Sequence, residues 1–145
     1  MPMIDVYAAA GTFADKPELT RALNAAIMRW EKVPLIPLFL ENTASFIHEL
    51  APETLANAQG ENNYVRVQIL TPVGVLDREK KLGAVNEITE IIATAARDSS
   101  LKERTWVLIT EAPDGGWGID GHAYTSDEIA EAARRELAEI AARKS

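Results

Sequence analysis

The chain repeats itself. A strand-like run ends at Gly11, an acidic cap follows at Asp15, an amphipathic stretch comes next, and a second strand-like run stops at Ala51-Pro52. About sixty residues later the same landmarks return in the same order, as Gly74, Asp77 and Ala112-Pro113. Self-similarity at one fixed offset marks a duplicated unit, and it constrains the fold more than any property of composition.

Each unit has the pattern β-α-β. In the first, "MIDVYAAA" alternates loosely as a strand. Asp15 and Glu18 have the spacing of an N-cap with a reciprocal carboxylate, and Leu19, Leu23, Ala26, Ile27 and Trp30 recur at helical spacing up to about Lys32. "VPLIPLFLEN" holds two prolines and is expected to be a connecting segment, after which "ASFIHEL" forms the second strand. A polar linker, "NAQGENN", separates the units. In the second unit "YVRVQIL" places Val65, Val67 and Ile69 on one face and Arg66 and Gln68 on the other. Asp77 offers the cap, Leu82, Val85, Ile88, Ile92 and Ala95 the apolar stripe, and "TWVLITE" the fourth strand.

The tail departs from the repeat. "GGWGIDGHAY" predicts a short hairpin, and Thr125 with Glu128 has capping-box spacing at the head of a last helix. Its stripe is Ile129, Ala133, Leu137 and Ile140. The expectation is an α+β fold in one domain over 1–145, with pseudo-repeats at about 2–56 and 64–121 and a C-terminal helix at about 126–143. Two β-α-β units give a four-stranded sheet with two helices on one face, plus the hairpin and last helix. The other sheet face then keeps apolar residues uncovered, which predicts an oligomer.

Composition removes several functions. The net charge of −7 argues against nucleic acid, whose phosphates want a basic face. With no cysteine, disulfides and thiol chemistry are out. No apolar run approaches a membrane span and the start lacks a signal-peptide profile, so the expected location is the cytoplasm. His48 and Glu49 are adjacent on a strand and point to opposite faces, so they form no dyad. Two isolated histidines, His48 and His122, make no metal site, and no cofactor is expected.

The opening "MPMIDVYAAAG", the doubled β-α-β pattern and the stretch "TWVLITEAPDGGWGIDG" resemble the tautomerase superfamily. With two units the chain looks like its long members, which form trimers. It is most similar to the cis-3-chloroacrylic acid dehalogenase group, then to malonate semialdehyde decarboxylase, and its fourth strand and hairpin look like those of 4-oxalocrotonate tautomerase. The resemblance extends to about residue 121 and leaves the last helix unexplained. It implies that Pro2, freed by removal of Met1, is the catalytic base. The chemistry supports that role. A free α-amino group titrates far below lysine, burial lowers it further, and a neutral amine near pH 7 is a good general base. The ring also fixes φ and so the direction of the lone pair. With Met1 in place the Pro2 nitrogen is an amide and no base.

The family surrounds its proline with arginines, and here several are missing. Thr12 follows the first turn, Trp106 stands where the second unit's strand carries an arginine, and "TPVGVLDRE" lacks the pair that follows the third strand. These departures weigh against dehalogenation and decarboxylation. Candidate substitutes are Arg66, on the polar face of the third strand and expected near Pro2, and Arg29 on the first helix. Trp117 and Trp106 are candidate pocket walls. The resulting expectation is a homotrimeric tautomerase of a small 2-oxo or 2-hydroxy-2-enoic acid. The alternatives are a haloacrylate hydratase or dehalogenase, or a trimeric ligand-binding protein without catalysis.

Overall fold

The computed structural model describes residues 1–145. Strand β1 (Met3–Ala9) leads to helix α1 (Lys16–Glu31), a short helix α2 (Pro37–Glu41) and strand β2 (Ala44–Leu50). Strand β3 (Val65–Pro72), helix α3 (Arg78–Ala96) and strand β4 (Thr105–Ala112) repeat the unit. A hairpin of β5 (Trp117–Ile119) and β6 (His122–Tyr124) then runs into helix α4 (Ser126–Lys144).

The helix starts follow from their caps. The Asp15 carboxylate accepts from the Glu18 amide at 3.0 Å, and that of Asp77 from the Lys80 amide at 2.9 Å. Thr125 and Glu128 close a reciprocal capping box on α4. Helices α1 and α3 both stop on a cationic residue in the left-handed conformation, Lys32 and Arg97. The segment between α1 and β2 is more than a connection. Pro37 sits at the first helical position, where its missing N–H costs nothing, and nucleates α2.

The sheet order is β2-β1-β3-β4, parallel within each unit and antiparallel where β1 meets β3. Ile4, Val6 and Ala8 of β1 and Val65, Val67 and Ile69 of β3 meet Leu19, Leu23 and Ile27 of α1 and Ala84, Ile88 and Ile92 of α3 in one buried core. Burial of such side chains contributes on the order of 1.5–3 kcal/mol each. Leu82, expected in this stripe, is exposed. The phase is set by Ala84, Ile88 and Ile92, and two residues back from Ala84 lies about 200° around the helix. Leu137 of α4 is likewise exposed, while Ile129 and Ala133 are buried.

Helices α1 and α3 touch through Gly83. A Cβ added there would lie 2.1 Å from the Trp30 ring, which is pinned by an indole N–H donated to Glu87 at 3.0 Å. Alanine is normally favoured over glycine in a helix by about 1 kcal/mol. Overpacking costs about 1–3 kcal/mol, so the clash decides the sign. Gly83→Ala is expected to lower Tm by several degrees in a thermal melt; an unchanged or raised Tm would show that Trp30 is free to move.

The sheet face away from the helices is uncovered. Phe46, Leu70, Trp106 and Leu108 are exposed on it, beside Asp5, Tyr7, His48, Arg66 and Gln68. His48 bonds Asp5 at 2.7 Å and stacks on Tyr7. No helix is long and apolar enough to cross a membrane.

Candidate functional site

The alternation of β1 puts Pro2 on the same side as Ile4 and Val6, under the helices. Its carbonyl accepts from the Ala44 amide at 3.3 Å, which ties the strand's first residue to the edge strand β2. Pro2 is buried. So is Met1, which is 2% exposed and packs with Met28, Ile36, Phe39, Trp117, Ile129 and Ala133. This second core is separate from the one under α1 and α3. Its walls come from α1, α2, the β5-β6 hairpin and α4, so the elements outside the repeat form a cap over the start of the chain.

One carboxylate lies inside this apolar chamber. Glu31, at the end of α1, has a fully buried side chain and takes the Met1 ammonium at 3.0 and 3.2 Å on its two oxygens. Burial lowers the pKa of the Met1 ammonium from the ordinary value, against the pull of Glu31. Burial likewise raises that of Glu31, against the terminal ammonium and Lys80. In both, loss of solvent outweighs the pairing, as expected for charges enclosed by apolar side chains. The Pro2 nitrogen is three bonds from that of Met1, so the two lie within about 4 Å of each other. An amine at either position is therefore in Glu31's immediate surroundings.

Two threonines flank Pro2. Met3 pairs with Ala44 on one side and Leu70 on the other, so the next step of the register sets Pro2 between Thr43 and Thr71. The Thr71 hydroxyl donates to the Pro72 carbonyl at 3.2 Å. The Thr43 hydroxyl is buried and has no hydrogen-bond partner. Thr43 also lines an open cavity of about 640 Å³ between α1 and α2, together with Met28, Arg21, Arg29, Lys32 and Leu40 among others.

The expected site residues are dispersed. Trp117 is in the chamber, 6% exposed, against Met1. Arg29 points away from the core, bidentate on Glu87 of α3, and lines the cavity instead. Arg66 does not come near Pro2 in its own chain. The antiparallel register pairs it with Tyr7, at the other end of β1, where its guanidinium lies over the Tyr7 ring. Trp106 is its neighbour on β4, stacked on Tyr64 on the uncovered face. No group of three or more His, Cys, Asp or Glu side chains is placed to hold a metal ion.

Glu31 was missed although the sequence contains its signal. Leu19, Leu23 and Ile27 step by four, and the next step is Glu31. A carboxylate that continues a core stripe is held where ionisation is costly.

No family model matches the chain, and no curated protein matches it in sequence. Solved structures do match in shape. A fused 4-OT wild-type asymmetric trimer superposes with a TM-score of 0.71 at 19% identity, over 83% of this chain and 94% of that one. A member of the cis-3-chloroacrylic acid dehalogenase family gives 0.71 at 16% identity, over 94% and 99%. Malonate semialdehyde decarboxylase gives 0.64 at 14% identity, over 90% and 97%. The chain therefore shares the fold of these proteins.

Proposed function

We propose that this chain, after removal of Met1, is a cofactor-independent keto–enol tautomerase of small 2-oxo or 2-hydroxy-2-enoic acids, cytoplasmic, with the Pro2 amine as proton shuttle. One observation carries this reading: the chain's first strand starts within a buried apolar cluster, where the buried carboxylate of Glu31 bonds the terminal nitrogen. The neutral amine takes the enol hydroxyl proton, the electron pair re-forms the carbonyl, and the ammonium returns a proton to C3. Glu31 opposes the cost of forming that ammonium in an apolar site, so it favours the state with charge developed over the state without it. Trp117, Phe39 and Ile129 keep water from screening the pair.

A second reading is favoured by the same carboxylate. Hydration of an unsaturated acid needs a base for water, and Glu31 fills that position while the Pro2 ammonium protonates carbon. The matched decarboxylase is described as having decarboxylase and hydratase activities. The fused 4-OT structures are trimers, and a homotrimer of this chain would give its uncovered sheet faces partners.

The deciding experiment compares rates on phenylenolpyruvate and on a 3-haloacrylate for protein shown by mass to lack Met1, with light scattering on the same sample. Ketonisation well above the buffer rate in a particle three times the chain mass supports the tautomerase. Turnover of the haloacrylate alone selects the hydratase. Neither activity, or a monomer that is fully active, contradicts the proposal.

A further inference from the structure

The cavity between α1 and α2 differs in charge from the rest of the molecule. The chain carries 22 acidic and 15 basic residues, yet the cavity is lined by Arg21, Arg29 and Lys32 and by no carboxylate. Arg21 is held by Glu18 and Arg29 by Glu87, both outside the lining. Lys32 is engaged in no ion pair or side-chain hydrogen bond. Its place is fixed by the end of α1, where its backbone N–H closes on the Arg29 carbonyl at 3.2 Å. The rest of the lining is largely apolar, including Met28, Val33, Leu35 and Leu40.

A second, independent feature lies in the same wall. Thr43 is 6% exposed and its hydroxyl has no partner. An unpaired buried hydroxyl is destabilising, a cost a bound acceptor would remove. Parity places Thr43 on the helix side of β2. Ser45, two residues on, bonds Asn24 of α1 at 2.6 Å, and Asn24 also lines the cavity. The register makes Thr43 the lateral neighbour of Pro2.

Cavity and chamber share a wall. Met28 lines the cavity and packs against Met1 in the chamber, and Val33 borders both. Methionine is unbranched and adaptable, so Met28 is a soft part of the wall between the two spaces. The Met1 side chain itself shows that the chamber accommodates an apolar group.

We propose that the α1–α2 cavity is the acid-recognition subsite, taking a monocarboxylate on Lys32 with a hydrogen bond from Thr43, while the substrate's apolar tail fills the space left by Met1. Placing the reacting carbon at Pro2 rests on the tautomerase reading; the acid-binding site does not. A dicarboxylate is disfavoured, because the far end would meet Phe39, Trp117 and Ile129 and the carboxylate of Glu31.

The test is direct binding of 3-phenylpropanoate, an acid that cannot tautomerise, by calorimetry to Met1-free protein. The parent is expected to bind; Lys32→Gln should weaken binding about tenfold and Thr43→Val several-fold. Lys102→Gln removes a cation paired with Glu90 elsewhere and should leave binding unchanged. 3-Phenylpropylammonium should not bind. Absence of binding to the parent, or equal affinity in Lys32→Gln and Thr43→Val, overturns the proposal. Melting curves on each variant confirm that the fold is retained. A protein that binds the acid but fails to ketonise phenylenolpyruvate refutes the tautomerase reading and leaves this subsite standing.

Discussion

Pro2→Ala is expected to lower kcat/KM for phenylenolpyruvate by about 10²-fold, the low end of the 10²–10⁴ that a positioned acid–base group contributes. The low end applies because alanine, like proline, is small enough for Met1 to be trimmed, and the variant keeps an N-terminal amine. It loses the ring that fixes φ and aims the lone pair. The Pro2 carbonyl bond to the Ala44 amide is a backbone contact and survives the substitution. The melting temperature should therefore change little while the rate falls. Equal rates in parent and variant would remove the amine from the mechanism.

Glu31→Gln is the second large effect, and its sign in pH is fixed by charge. A carboxylate beside an ammonium favours the protonated amine, so removing it lets the amine lose its proton more easily. The limb of the pH–rate profile that reports amine deprotonation should move to lower pH. The maximal rate should fall by about 10²-fold, because the ammonium formed during proton transfer loses its counter-charge among apolar side chains. Under the hydratase reading the same variant loses the buried base for water and with it nearly all activity. A profile unchanged in position and height would make Glu31 a structural group only.

The repeat made most of the fold legible. Gly11 and Gly74, Asp15 and Asp77, and the two Ala-Pro stops are local signals, and local signals survive without knowledge of the tertiary partners. Even Leu82 failed for a local reason, because Ala84 rather than the larger side chain set the helix phase. The site was less legible. Trp117 joins the cluster around Met1 because a hairpin follows the second unit's last strand and folds back over the first. Arg66 was misplaced because β-α-β patterns state nothing about how the two units pair. Only the antiparallel β1–β3 register sends Arg66 to Tyr7 and away from Pro2. Thr43 could not have been found at all, since its unpaired hydroxyl depends on what surrounds it. Helix α4 looked like an appendage in sequence; Ile129 and Ala133 make it part of the chamber roof.

The central claim is that a nitrogen now shielded as an amide becomes the working group once Met1 leaves the chamber. Intact-mass analysis of fractions that differ in Met1 removal, each assayed for phenylenolpyruvate ketonisation, tests it most directly. The expected result is activity proportional to the Met1-free fraction, extrapolating to zero for the untrimmed chain. Activity independent of that fraction, or highest where Met1 is retained, would contradict it.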